Sequence, residues 1–493
     1  MTDLVFLPAH QLAQMIRDRT LASVELVDAC LTQIERHNAS LNAICTLDAE
    51  NARITAQQAD EALARGESWG ALHGVPITIK DFFETKGLRT TAGYKPLQDY
   101  VPQQDATIVS RLRGAGAILL GKTNPSDVNG AYQGINDIFP RVNNPWNLDY
   151  TPGGSSSGCA AAIAAGFSAL DVGSDIAGSI RQPAHFCGIY GLKPTDRRVS
   201  LAGHILEIPG MPECIRQMLV PGPLARSVKD LRLCFTLIAG ADPRQPDVPP
   251  IATECSESKP LAGLRIAWSD NFRVPIAAAI QTAFRKAVDK LAESGAIVEN
   301  WAPQDIDWIA VQALYNRLAT YNFRYAQPLT WDAIRKTLTI VWREATQGEK
   351  SLRQLGNPSQ IAKEVFSLTL RGYFEALTER DRITAQLDQA LAAWDVWLTP
   401  VAATPAFTHR PDWSAVEIDG RVYPHSAANG AYTMPFNLSG HPAIVIPIGQ
   451  TQDGLPIGMQ IVGKRWREME LLAIAQTLDA AIGAFQSPPE ILR

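Results

Sequence analysis

The chain has 493 residues, longer than most single domains, and 46% of them are hydrophobic, enough to bury a large core. Charged residues make up 19% and the formal net charge is -5. This excludes a disordered chain and gives no electrostatic case for nucleic acid or an anionic membrane surface.

The first residues, Met1 to Pro8, show no basic stretch followed by a long apolar run, so no leader peptide is expected. Apolar residues recur at helical spacing after Ser23, which reads as an N-cap, and predict a helix over 23–37. A second helix is expected over 49–64. Val75, Ile77 and Ile79 alternate with Pro76, Thr78 and Lys80, a strand pattern. A helix over 105–113 and a strand over 117–120 follow. Further strands are expected at 264–268, 296–298, 396–398, 443–448 and 459–462, with helices over 275–293 and 468–482. Strands alternating with helices imply an α/β fold whose sheet is covered on both faces. The polar, proline-rich segment 241–260 reads as a surface connection within one large domain spanning 1–493. The aromatic-rich block 301–380 interrupts the α/β pattern and is expected to be chiefly core, with a minor share in a binding wall. No apolar run is long enough to cross a bilayer, so no membrane association is expected. The seven cysteines are scattered without a CxxC pair and read as reduced thiols of a cytoplasmic protein. The eight histidines show no ligand spacing, so neither a metal nor any other cofactor is expected.

Two glycine- and serine-rich segments carry the chemistry. One is Thr151-Pro152-Gly153-Gly154-Ser155-Ser156-Ser157-Gly158; the other is Gly173-Ser174-Asp175-Ile176-Ala177-Gly178-Ser179-Ile180-Arg181. Glycines beside a serine let backbone N–H groups converge on an anion, either a phosphate or the oxyanion of acyl transfer. A phosphate loop is a weak reading, because no lysine closes the first segment. Gly154 to Gly158 formally fits a hydrolase elbow with Ser156 as nucleophile, but a loop-like stretch precedes it where a strand is needed. Ser256 to Lys259 matches S-x-x-K within a polar connector and is read as chance. Glycine loops chosen only for tight turns remain the bland alternative.

Both segments, with the upstream Pro76-Ile77-Thr78-Ile79-Lys80-Asp81, resemble the amidase signature family. The likeness continues through Asn143-Asn144-Pro145-Trp146, Gly191-Leu192-Lys193-Pro194-Thr195, Pro221 to Ser227 and Gly454 to Gln460. The resemblance implies one α/β domain with a mixed, largely parallel sheet and a signature core at about 70–200. It implies catalytic Lys80, a bridging Ser155 preceded by a cis peptide bond, and the nucleophile Ser179. It places the oxyanion hole on the N–H groups of Ile176, Ala177, Gly178 and Ser179. Ala177 stands where the family usually has glycine. Asp175 and Arg181 are expected to support the loop, and Asn129, Tyr132 and Gln133 to line the substrate side.

The serine needs a base, and lysine serves only when burial lowers its pKa from about 10.4. Lys80 closes an apolar strand, which supplies that burial. A buried ion pair with Asp81 or Asp175 is the competing role, and Lys122 and Lys193 suit it better. The expected partner is a small-molecule amide, with a homodimer as default. Two rival functions share the segments. One is the amidase subunit of a tRNA-dependent amidotransferase, which makes ammonia from glutamine; Leu201 to Gly210 departs from its usual pattern. The other is a non-catalytic binding protein on the same fold.

Overall fold

Strand alternation builds the molecule and decides which side chains reach the site. The structure is a computed structural model that describes residues 4–127, 132–205, 213–254, 256, 259–326, 335, 339–340, 342–344, 346–349, 369–410, 413–483 and 485–488. The strand expected at 75–80 forms as β2 (Pro76–Lys80). Ile77 and Ile79 enter the largest apolar cluster, and Thr78 and Lys80 take the other side by the period of two. The same split runs across the sheet. Ile444 and Ile446 of β12 (Ala443–Gln450), and Met459 and Ile461 of β13 (Pro456–Val462), share that cluster, whereas Val445 belongs to another. Burying each such side chain stabilises by roughly 1.5–3 kcal/mol.

Eleven strands form one sheet in the order β1-β3-β2-β4-β6-β5-β12-β13-β9-β7-β8. The remaining members are β1 (Ile44–Leu47), β3 (Ile118–Thr123), β4 (Leu170–Asp175), β5 (Tyr190–Lys193), β6 (Val220–Ala225), β7 (Arg265–Trp268), β8 (Ile297–Asn300) and β9 (Val396–Pro400). β10 (Val416–Ile418) and β11 (Arg421–Tyr423) form a separate hairpin. Strands β2, β3, β4, β6, β9 and β13 are buried at every residue, so both faces of the sheet are covered. The fold is the expected mixed α/β sheet, with less parallel pairing than expected. Among the described residues only β2/β3, β2/β4, β7/β8 and β7/β9 run parallel. The signature strands β4, β6 and β5 and the closing β12, β13 and β9 are joined antiparallel. Val220-Pro221-Gly222-Pro223 reads as a turn in sequence, which hides β6. The segment 241–260 connects strands of the same sheet.

The first long helix, α2 (Ser23–Leu41), follows α1 (Ala9–Arg17) and starts where expected, but Ser23 is not its cap. Ala22 holds that position. Asp60 of α3 (Ala49–Ala64) caps from outside, accepting from Ser23 N at 2.7 Å and Val24 N at 3.0 Å. Among the described residues no helix is long and apolar enough to cross a membrane. Most of the described aromatics of the 301–380 block are core: Trp301, Trp308 and Tyr315 pack with Trp394 and Trp397.

Candidate active site

Lys80 ends β2, beside β4 and the loop that leaves it. Its side chain is fully buried, with Nζ 2.8 Å from Ser155 Oγ and 3.2 Å from Ser174 Oγ. No carboxylate oxygen lies within ion-pair distance of Lys80 among the described residues. The candidate partners are engaged elsewhere: Asp81 lies 3.8 Å from Lys122 Nζ, and Asp175 is bound to Arg181. Lys193 meets no carboxylate at that range either and donates to the Pro194 carbonyl at 2.8 Å. Burial pushes the Lys80 amine down to about 8, against weaker opposing pulls from Cys159, Asp175 and Asp171.

The serine loop comes close because β4 carries a glycine. A Cβ on Gly173 would sit 2.5 Å from Ser156 Oγ. The peptide bond between Gly154 and Ser155 is cis. Ser156 N donates to the Ser179 carbonyl at 3.2 Å, tying the two signature segments together by backbone. The helix α5 (Ser157–Ala164) starts directly after, and Ser157 Oγ donates to the Gly153 carbonyl at 2.6 Å. Ser179 is 7% exposed. Its hydroxyl has no hydrogen-bond partner among the described residues, so the side-chain contact joins Lys80 to Ser155 and does not extend to Ser179.

The loop 176–180 is held from behind. Tyr315 Oη donates to the Ile176 carbonyl at 2.9 Å, and Tyr132 Oη and Thr433 Oγ1 donate to the Ala177 carbonyl at 2.9 and 2.7 Å. A carbonyl and the following N–H point in opposite directions along a trans peptide, so these bonds aim the backbone donors. Gly178 adopts φ +114°, and its missing side chain leaves room for Thr433 Oγ1, which a Cβ would meet at 2.5 Å. The expected oxyanion set is reduced by one: Gly178 N donates to Asp175 Oδ1 at 2.8 Å. The N–H groups of Ile176, Ala177 and Ser179 make no bond to a side chain or loop carbonyl among the described residues. Ile176 and Ala177 are half-buried, and Ala177 is not among the positive-φ residues, so its methyl fits without strain.

Arg181 opens α6 (Arg181–Cys187) and is fully buried. Its Nε and Nη2 meet Asp175 at 3.0 and 2.9 Å, and Nη1 donates to the Thr433 carbonyl and to Gln460 Oε1 at 3.0 and 2.7 Å. Nη2 also reaches Asn437 Oδ1 at 2.5 Å. Burial raises the Asp175 carboxyl, but the Arg181 guanidinium overrides it and holds the group well below the usual carboxylate range. Every Arg181 donor is taken by a buried acceptor.

Two residues expected on the substrate side are buried. Tyr132 is 2% exposed, packed against Trp413 and His425, and uses its hydroxyl on the loop. Gln133 is fully buried, with Oε1 accepting from Arg410 N at 2.9 Å. Tyr132 touches the loop from the core side, whereas Gln133 is tied to Arg410. Asn129, Trp331, Phe366 and the segment 206–210 lie outside the described residues. His185, near Ser179 in sequence, is buried and pushed down to about 4, with Nδ1 accepting from Gly458 N. Ser174, Thr433 and Asn437 join the site without being expected there, and Tyr315 comes from the aromatic block expected to be chiefly core. Only Ser174 leaves a sequence signal, its place five residues before Ser179.

The sequence profile of the Amidase family matches residues 25–472. The chain belongs to the amidase family. It is 35% identical over 469 residues, 92% of each chain, to a glutamyl-tRNA(Gln) amidotransferase subunit from Roseiflexus sp. (strain RS-1). Its fold matches a 6-aminohexanoate cyclic dimer hydrolase complexed with substrate, at TM-score 0.78 and 26% identity, covering 99% of this chain and 100% of that one. It also matches the corresponding glutamyl-tRNA(Gln) amidotransferase subunit from Thermotoga maritima, with TM-score 0.71 and 25% identity, covering 94% of each. As an amidase the chain is a hydrolase acting on amide C–N bonds. The exclusion of nucleic acid is overturned by the relatives: the Roseiflexus protein is a subunit of an enzyme named for a tRNA. Net charge averages over the whole surface and does not test what an assembly handles.

Proposed function

We propose that this amidase hydrolyses a carboxylic amide through an acyl-enzyme on Ser179, with Ser155 and Lys80 as proton relay. The contact between Lys80 and Ser155 carries the reading. A fully buried amine, held down at about 8 and 2.8 Å from a hydroxyl, is suited to accept a proton near neutral pH. Substrate binding turns the Ser179 hydroxyl toward Ser155, which takes its proton and passes one to Lys80. Ser179 attacks the amide carbonyl, and the oxyanion settles on the N–H groups of Ile176, Ala177 and Ser179. Each good donor there contributes roughly 3 kcal/mol of transition-state stabilisation. Ser155 then returns a proton to the leaving amine, and water activated by the same relay releases the acid. Cys30, Cys45, Cys159, Cys187 and Cys234 remain thiols, which supports a cytoplasmic setting. We assign the activity to a single domain over 1–493.

A second reading concerns the substrate, and the names of the relatives favour it. In it the chain is the amidase subunit of a tRNA-dependent amidotransferase, releasing ammonia from glutamine for a partner. The departure of Leu201 to Gly210 from that subunit's pattern favours a stand-alone amidase. One experiment separates them. The purified chain is assayed with acetanilide, propionamide and L-glutamine, alone and then with amidotransferase partner subunits and glutamyl-tRNA. Turnover of simple amides by the chain alone supports the first reading; glutamine turnover only in the assembly supports the second. Labelling of Ser179 by a fluorophosphonate is expected under both, and its absence overturns both.

A further inference from the structure

Behind Lys80, on the same face of the sheet, sits a carboxylate that the mechanism above does not use. Asp171 lies on β4 and is 1% exposed. The pairing of Ile77 with Leu170 sets Thr78 beside Asp171 and Lys80 level with Gly173. Ile77, Ile79, Leu170 and Val172 all belong to the large apolar cluster on one face. Thr78, Lys80 and Asp171 therefore share the other face, and Asp171 stands two residues, roughly 7 Å, down the strand from Lys80.

Asp171 Oδ2 accepts from Thr78 Oγ1 at 2.7 Å. Oδ1 is buried, and the Val172 N–H, the Cys159 thiol and the Thr123 hydroxyl are neutral donors to the carboxylate. The Cys159 thiol and the Thr123 hydroxyl, 3.2 Å apart, lie beside the carboxylate. A buried carboxylate persists only with a counter-charge. Two amines act on it, Lys80 and Lys122, and Lys122 already has Asp81 at 3.8 Å. Lys80 in turn has no carboxylate in contact, and Asp175 is taken by Arg181. Each is the unmatched charge of the other.

We infer that Asp171 is a positioning residue of the relay, the counter-charge against which Lys80 carries the proton it receives from Ser155. The inference rests on Lys80 being the base. In the cycle the proton leaves Ser179, crosses Ser155 and makes an ammonium in a water-excluded site. The Asp171 carboxylate stabilises that ammonium without touching substrate. The other groups facing Lys80 are the Cys159 thiol from α5, Asp175 from the end of β4, and His204 from the loop after β5, which stacks on Phe82. The Phe82 ring itself lies 4.5 Å from Nζ. Cys159 is pushed well above its ordinary range and His204 well below by burial, so both are neutral at pH 7. Burial lifts the Asp171 carboxyl only to about 6, leaving it ionised there. It is the one anion facing Lys80 that is not already ion-paired, among the described residues.

The test is the rate of Ser179 labelling by a fluorophosphonate from pH 5 to 10, which needs no natural substrate. In the parent the rate rises with pH as Lys80 loses its proton. Asp171→Asn keeps the acceptor for Thr78 and removes the charge, so the limb moves to lower pH by about one unit. Thr78→Val weakens the hold on the carboxylate and moves the limb the same way by less. Thermal unfolding checks that each variant is folded, and if Asp171→Asn does not fold, Thr78→Val decides alone. Limbs that coincide with the parent's overturn the inference and leave the relay standing. A parent that labels at a pH-independent rate, or a Lys80→Ala variant that labels as fast as the parent, overturns the relay itself.

Discussion

Tyr315 Oη donates to the Ile176 carbonyl at 2.9 Å, across 139 residues of chain. The bond fixes the peptide whose other end is the Ala177 N–H, one of the donors proposed for the oxyanion. Tyr132 bonds the next carbonyl, whose peptide carries the Gly178 N–H that donates to Asp175. Oxyanion stabilisation depends on donors held in place before charge develops. Tyr315→Phe is therefore expected to lower kcat by about tenfold with KM little changed, and the net loss of one hydrogen bond costs about 1 kcal/mol of stability. Steady-state kinetics and thermal unfolding check both. Unchanged kcat would mean that the loop keeps its shape without this bond.

Ser179→Ala is expected to lower turnover by at least about a thousandfold and to abolish fluorophosphonate labelling. Far-UV circular dichroism should match the parent. Retained turnover would remove Ser179 from the mechanism.

Lys80 yields a paired prediction on activity and stability. Its folded pKa is depressed from 10.5 to about 8. The neutral base gains population as pH rises, so kcat/KM should climb through about pH 8. For stability the sign is reversed from a helpful ion pair. Below pH 8 the protein carries a buried ammonium that the unfolded chain would hold in water. This destabilises by about 3 kcal/mol, a penalty that fades as pH rises from 8 towards 10.5. Lys80→Met should abolish activity and stabilise the fold at pH 7 by about 1–3 kcal/mol. A variant less stable than the parent would show that the bonds to Ser155 and Ser174 outweigh desolvation.

Arg181 uses every donor on buried acceptors, and Asp175 depends on it for its charge. Arg181→Met leaves the carboxylate buried and unpaired, which is expected to cost about 3–5 kcal/mol. The folded pKa of Asp175 is depressed, so its stabilisation is complete above the ordinary carboxylate range and lost only at still lower pH. Without Arg181, burial raises the Asp175 carboxyl and lets it take up a proton in mild acid, so urea unfolding should show the full loss at pH 7 and a smaller one at pH 4.

Ala177→Gly tests the one departure from the usual loop. Because Ala177 needs no positive φ, the change should cost about 0.5–1 kcal/mol through the unfolded chain and leave kcat within about threefold. A large gain in kcat would mean that the methyl does crowd the loop.

What the sequence determined was local. The alternation that ends in Lys80, the glycines around Ser155 and Ser179, and the carboxylate and guanidinium six residues apart all follow from spacing along the chain. They were enough to single out Lys80, Ser155 and Ser179 through the resemblance they carry, and to group Asp175 with Arg181. What the tertiary structure decided was everything contributed from afar. Tyr132 and Gln133 have the look of wall residues in sequence, but packing turns them inward. Gln460 and Asn437 reach Arg181 from 279 and 256 residues away. The physical reason is that periodicity fixes which face a side chain takes, whereas its partner depends on strand order. The placement of β12 beside β5, with β13 next to it, joins opposite ends of the chain, and no short-range pattern encodes it.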